Sequence, residues 1–182
     1  MKLRYFALLI FLVGCKSAKL TEKTSNNIPN KIFSSTYSGI ENDIPYYSSD
    51  EFTNNALKTY TLYYLKSEFS ETNETRKTPV ENLHDNSIID TIYHFSDKRN
   101  TIEYYKGTYA NFISKFEVTD NQYDLHGGIS AGTGKKDLKK AFNIKDEIGD
   151  VVNIGNTSKT AIYTFYFKKD KVQKISSLFY VD

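Results

Sequence analysis

Residues 126–142, "HGGISAGTGKKDLKKAF", pass from a glycine-rich stretch into a helical pattern, which is how phosphate-cradling loops begin. A phosphate loop needs GxxxxGK[ST]. That spacing wraps backbone N–H groups around the phosphates, the lysine neutralises charge, and the last hydroxyl holds magnesium. Gly134-Lys135 supplies the end of the pattern, but Ile129 stands five residues before Gly134, Gly128 is one place too far away, and Lys136 occupies the hydroxyl position. The nucleotide reading fails on spacing.

The same residues do predict a turn and a short helix. Leu138, Ala141 and Phe142 fall at i, i+3 and i+4, while Lys135, Lys136, Lys139 and Lys140 occupy the sides left to solvent. Asn143 suits the left-handed position that ends a helix. A helix is therefore expected over Lys135–Phe142.

Working outward, "DVVNIGN" and "TAIYTFYF" read as strands, "KKDK" (Lys168 to Lys171) as a tight turn and "VQKISSLFYV" as the last strand. Upstream, "SIIDTIYHF" and "TIEYY" flank the turn "SDKRN", and "ANFISKFEV" is followed by the turn "TDNQ" and a short strand "YDL". "KTYTLYYLKSEF" (Lys58 to Phe69) alternates Tyr60, Leu62 and Tyr64 with Thr61, Tyr63 and Leu65, and is expected to be a strand. "SSDEFTNNAL" before it carries good N-caps in Ser48, Ser49 and Asp50, though it is short for a helix. Ser70 to Asn86 is polar and reads as a loop.

The chain holds 15 tyrosines and 12 phenylalanines but no tryptophan, and aromatic residues favour pleated, half-buried strands. The expected fold is α+β, an antiparallel, tyrosine-rich sheet of about six to eight strands with one short helix, Lys135–Phe142, packed on it. The hairpins "IYHFSDKRNTIEYY" and "YTFYFKKDKVQKISSLFY" echo each other. A duplicated half-domain would explain this, and so would the shared composition of any two hairpins in such a sheet.

The spacing Ile129-x-x-Gly132-Thr133-Gly134-Lys135-x-Asp137-Leu138-x-x-Ala141-Phe142 resembles the "IxxGMTKxxVxxLLG" segment of the BamE (SmpA/OmlA) family of small envelope lipoproteins. The α+β fold of that family is also similar to that of β-lactamase inhibitor protein. Phe167-x-x-Asp170-Lys171-Val172 looks like that family's strand–turn–strand signature. Over Ile129 to Asp182 the resemblance implies a helix followed by strands ending in a hairpin. Gly134 stands where the family has a serine or threonine cap, and Asn143 where it has glycine.

At the other end, "MKLRYFALLIFLVGCKS" places Lys2 and Arg4 before the apolar run Phe6 to Val13. This is the pattern of a secretory signal peptide, too short for the roughly 20 residues a spanning helix needs. Leu12-Val13-Gly14-Cys15 resembles the bacterial lipobox. Cleavage is expected between Gly14 and Cys15, with Cys15 acylated and the chain bound to membrane lipid. Acyl burial contributes about 0.8 kcal/mol per CH2, and more than one chain is needed for a stable anchor. The expected organisation is a signal peptide at 1–14, the lipidated cysteine and a flexible tether at 15–30, and one domain at 31–182. The tether "KSAKLTEKTSNNIPN" is too polar to fold and spans roughly 20 Å as a coil.

Cys15 is the chain's single cysteine, so the mature protein is expected to hold no thiol for disulfides, metal or catalysis. Of 24 basic residues, Lys2 and Arg4 leave with the signal peptide. The remaining 22 match 22 acidic ones, and the mature net charge is zero. Nucleic-acid binding needs a basic excess on one face, so that class is set aside.

His84, His94 and His126 lack any spacing that would place two metal ligands on one face. Ser87, His84 and Asp90 can be assembled into a nucleophilic triad, but no strand-to-helix elbow presents the serine. Asp90, Asp97, Glu103 and Asp124 offer carboxylates for glycosidase chemistry, whose defining separation only a structure provides. The tyrosine pairs at 46/47, 63/64 and 104/105 put rings on both faces of the expected sheet, and exposed tyrosine favours protein interfaces. The expectation is a non-enzymatic envelope lipoprotein without cofactor, on the outer membrane facing periplasm or cell surface, whose sheet binds another protein. A cell-wall or glycan-directed hydrolase or binding module is the rival, and an inhibitor or immunity lipoprotein a third reading.

Overall fold

Among the described residues, apolar side chains recurring every second residue mark most of eight strands, and three short helices pack against them. The computed structural model describes residues 44–69, 74–82 and 84–179. The expected signal peptide, Gly14, Cys15 and the tether lie outside the described residues, as do residues 31–43 of the expected domain. The element order is β1 (Tyr46–Ser48), α1 (Asp50–Asn55), α2 (Leu62–Glu68), β2 (Glu74–Glu81), β3 (Ile89–Ser96), β4 (Thr101–Lys106), β5 (Asn111–Val118), α3 (Lys135–Ala141), β6 (Val151–Gly155), β7 (Ala161–Lys168) and β8 (Lys171–Phe179). All belong to one compact unit.

The strands form a single sheet in the order β1-β6-β7-β8-β5-β4-β3-β2. Every pair is antiparallel except β1 with β6, which is parallel. The expected α+β fold with a largely antiparallel sheet is thus what the chain adopts. From its middle the order reads alike in both directions: β8, β7, β6 one way and β5, β4, β3 the other.

The core lies between the sheet and the helices. Phe95, Ile102, Phe116, Val152, Ile154, Phe165 and Ile175 project from the strands to meet Phe52, Leu65, Phe69 and Leu138 from the helices. Phe52 stacks edge-on with Phe142 and Tyr163, with ring centroids 4.9 and 5.3 Å apart, a geometry aromatic quadrupoles favour. A smaller cluster of Val80, Ile92 and Tyr105 occupies the opposite face of β2–β4.

Three expectations need correction. Lys58 to Phe69 is not a strand. Thr61 caps α2 by accepting the Tyr64 N–H at 3.1 Å, and Leu62, Leu65 and Phe69 line up at i, i+3 and i+7. Leu65 is 0% and Tyr63 85% exposed, a split that strand alternation cannot give, so tertiary burial overrides β-propensity here. Among the described residues there are three helices rather than one, because α2 replaces the expected strand and Ser49 caps the short α1, accepting from the Phe52 N–H at 3.3 Å. Ser70 to Asn86 is not all loop either. β2 pairs with β3 along its length, Glu74↔Ser96 to Glu81↔Ile89, and its polar sequence reflects its place at the sheet edge. Among the described residues no helix is long and apolar enough to cross a membrane.

Candidate functional site

The glycine-rich stretch is a splice between α3 and the last hairpin. Gly127, Gly128 and Gly132 take φ of 82°, 73° and 95°, values side-chain-bearing residues rarely adopt. The Gly132 N–H then donates to the Val172 carbonyl at 2.7 Å, the Val172 N–H to the Thr133 carbonyl at 2.9 Å and the Lys135 N–H to the Asp170 carbonyl at 2.8 Å. Lys135, which a phosphate loop would aim at its ligand, pairs with Asp150 at 3.2 Å and Asp170 at 3.4 Å and lies over the Phe167 ring. Burial lowers its pKa, but the two carboxylates outweigh that and raise it. At the far end of α3, Asn143 is left-handed at φ 51°. The Ile144 N–H reaches the Lys139 carbonyl at 2.8 Å and the Asn143 N–H reaches that of Lys140 at 3.3 Å, the double bond of a Schellman termination.

A cleft lies at the seam between the two series of strands. β5 and β8 pair only at Glu117↔Ser176 and Val118↔Ile175, whereas β7 and β8 pair from Ala161↔Phe179 to Lys168↔Lys171. Where the seam ends, the Phe116 N–H donates to the Ser177 hydroxyl at 2.9 Å, so a side chain caps the ladder there. Lys174 and Glu117 pair across the seam, and hydrogen bonding from Lys174, ahead of burial, lowers the Glu117 pKa.

Beyond this point the cleft has a volume of about 600 Å³, within the range of small-ligand sites. Tyr104, Phe112 and Ile113 form one wall, and Ala161, Tyr163 and Phe179 the other. The α1–α2 connection adds Leu57, Lys58 and Tyr60. Tyr60 donates to the Asp124 carbonyl at 2.8 Å. Burial, reinforced by Asp124, holds its hydroxyl well above the usual tyrosine pKa, and burial does the same to Tyr163. Both hydroxyls are neutral over the physiological range. Among the described residues lining the cleft, Lys58 is the one that is formally charged.

Of the residues singled out from sequence, Tyr104 lines the cleft, and the triad, histidine and carboxylate candidates lie elsewhere. The Ser87 hydroxyl donates to Asp85 at 2.6 Å, and the His84 N–H to the Asn82 side chain at 2.9 Å. Asp90, 3% exposed, accepts from Asn82 at 2.7 Å, from the Thr108 N–H at 2.9 Å and from the Tyr105 hydroxyl. The triad is therefore not assembled. His94 bridges Thr78 and Glu103 at 2.9 and 3.1 Å, His126 is exposed, and among the described residues no group of histidines and carboxylates could hold a metal. Asp97 holds its own turn through Arg99 and Asn100. Of the tyrosine pairs, Tyr104 packs against the main core and Tyr105 belongs to the smaller cluster, Tyr47 packs against the main core beside Tyr46 on β1, and Tyr63 and Tyr64 lie on α2. Sequence reasoning missed Lys58 because its stretch alternates like a strand; the Thr61 cap was the available signal. No protein family, curated protein or solved structure matches this chain.

Proposed function

We propose that this chain is a bacterial envelope lipoprotein, anchored through Cys15, that binds another protein at the seam cleft and carries out no chemistry itself. The observation that carries the binding part is the cleft's lining among the described residues: aromatic walls, neutral hydroxyls and amides, one lysine, and no carboxylate or histidine to act as acid or base. The anchor rests on the lipobox-like Leu12-Val13-Gly14-Cys15. Kinship with the BamE family is part of the same proposal, supported by the order of turn, helix and strands ending in a hairpin from Ile129 onward.

The test has two arms. In cells given radiolabelled palmitate, the wild-type chain should take up label and sediment with envelopes. The Cys15→Ser chain should do neither, and unchanged processing of that variant would remove the anchor. In the second arm a photo-crosslinking amino acid at Phe179 should trap one protein reproducibly from envelopes, and a label at the exposed Lys136 should not. A module binding the glycan of the cell wall is the second reading, favoured by the Asn54 and Asn111 amides beside the aromatic walls. Crosslinks to wall sugar in place of protein would establish it.

A further inference from the structure

We infer that the seam cleft receives an acidic loop of the partner protein: one large apolar side chain seated against its aromatic lining, with carboxylates on either side meeting Lys58 and Lys106. This rests on the cleft being the binding site, and goes further by assigning the partner's chemistry.

The apolar part of the cleft lies on the helix side of the sheet. Tyr104, Ile113, Tyr163 and Phe179 from the strands, with Leu57 and Tyr60 from the α1–α2 connection, line it and belong to the main core or pack against it. β5 and β8 stay adjacent, joined by the Phe116–Ser177 bond, so a ligand sits on this face and leaves the sheet unparted. A large apolar side chain set among such rings is the kind of anchor that dominates protein interfaces.

Two lysines flank that anchor site. Lys58 is in the lining. Lys106 stands directly across from Asn111, another lining residue, and lies two residues beyond Tyr104 along β4, on the same face. Both lysines are exposed, and among the described residues neither pairs with a carboxylate. Asp124, which acts on the Tyr60 hydroxyl, is outside the lining, and Asp90 is taken up by Asn82, Tyr105 and Thr108. Carboxylates on the partner complement the two cations.

Beside Lys106 the surface is apolar and firmly held. Thr91 pairs with Lys106, and Ile89, two residues before Thr91 and on its face, is 56% exposed. Tyr109, in the β4–β5 turn, is 68% exposed. That turn is closed by the Gly107 N–H on the Ala110 carbonyl at 2.9 Å and by the Thr108 N–H on the buried Asp90 carboxylate at 2.9 Å. A turn fastened in this way loses little freedom when a partner docks.

The experiment selects a library of disulfide-closed random loops, displayed on phage without a free carboxy terminus, against the full-length protein in detergent. Enriched loops should carry one aromatic or leucine side chain flanked by aspartate or glutamate, and a synthesised winner should bind more weakly as sodium chloride rises. Lys58→Glu and Lys106→Glu should each weaken it roughly tenfold, with far-UV circular dichroism unchanged, and turn a repeated selection toward lysine and arginine. Lys136→Glu, at an exposed position on α3, should leave its affinity within about twofold of wild type. The two cleft reversals should also cut the yield of the Phe179 crosslink to protein in envelopes severalfold. Failure to enrich any loop, enrichment of neutral or basic loops, or equal effects of Lys58→Glu and Lys136→Glu overturns the inference. A protein crosslink at Phe179 that survives both cleft reversals unchanged also overturns it but leaves the broader binding proposal standing. Absence of that crosslink in wild type, or a crosslink to wall sugar in its place, removes both.

Discussion

The Tyr105 hydroxyl on β4 donates to the Asp90 carboxylate on β3, beneath the turn that joins β4 to β5. Asp90 also holds Asn82 and the Thr108 N–H, so one carboxylate fastens three segments at the end of the β2–β5 meander.

Removing the phenol leaves that buried carboxylate one donor short. Tyr105→Phe should lower unfolding stability by about 1–2 kcal/mol, read from the midpoint of a urea titration. Burial is the largest influence on the Asp90 pKa and raises it, but the hydrogen bonds from Tyr105, Asn82 and Thr108 together outweigh it and the pKa is lowered. The native state thus binds its proton less readily than the unfolded chain, and the stabilisation is complete above the usual aspartate value near 3.8. It fades as pH falls from there through the lower native value. Urea titrations at pH 5, 4 and 3 should show a steeper loss for wild type than for Asp90→Asn.

Lys135 is occupied by Asp150 and Asp170. Titration calorimetry with magnesium ATP should therefore give no binding heat. Lys135→Ala should lower stability by about 1 kcal/mol, since both carboxylates are themselves solvated, and the difference should shrink in 1 M salt.

The helical assignment of Leu62–Glu68 separates neighbouring side chains sharply. Leu65→Ala should cost about 2–5 kcal/mol as a core truncation, while Tyr63→Ala should fall within about 0.5 kcal/mol of wild type. Comparable losses at both positions would contradict the helix.

The β7–β8 turn places Lys169 and Asp170 at φ of 52° and 56°, a pair of left-handed conformations for which Asn-Gly is the favoured sequence. Replacing them as Lys169→Asn with Asp170→Gly should add roughly 1 kcal/mol and raise Tm by about 2–4 °C, measured by calorimetry. The lost Asp170–Lys135 pair subtracts little because its carboxylate is 85% exposed.

The strands from Ile89 onward and α3 were legible because their apolar residues alternate or recur at helical spacing, and turn chemistry marks their ends. β2 was not legible: an edge strand buries little, and "ETRKTPVE" shows mainly Val80 as an inward signal. The aromatic run of α2 misled because Tyr60, Tyr63 and Tyr64 suit a strand by propensity, while only packing on Phe116 and Tyr123 reveals which side is inside. The cleft could not be read at all. It arises where two strands of separate meanders stop pairing, and no local pattern records the length of a ladder between segments about sixty residues apart.

β1 lies alongside β6, with Tyr46↔Asn153 to Ser48↔Gly155 in parallel register, the Asn153 N–H reaching the Pro45 carbonyl at 2.9 Å and Asp50 gripping Thr157. Tension entering from the amino side of Pro45 is consequently met first by these few rungs, loaded along their length, and passes into the carboxy-terminal meander. The β2–β5 meander sits at the far side of the sheet, out of that line of pull.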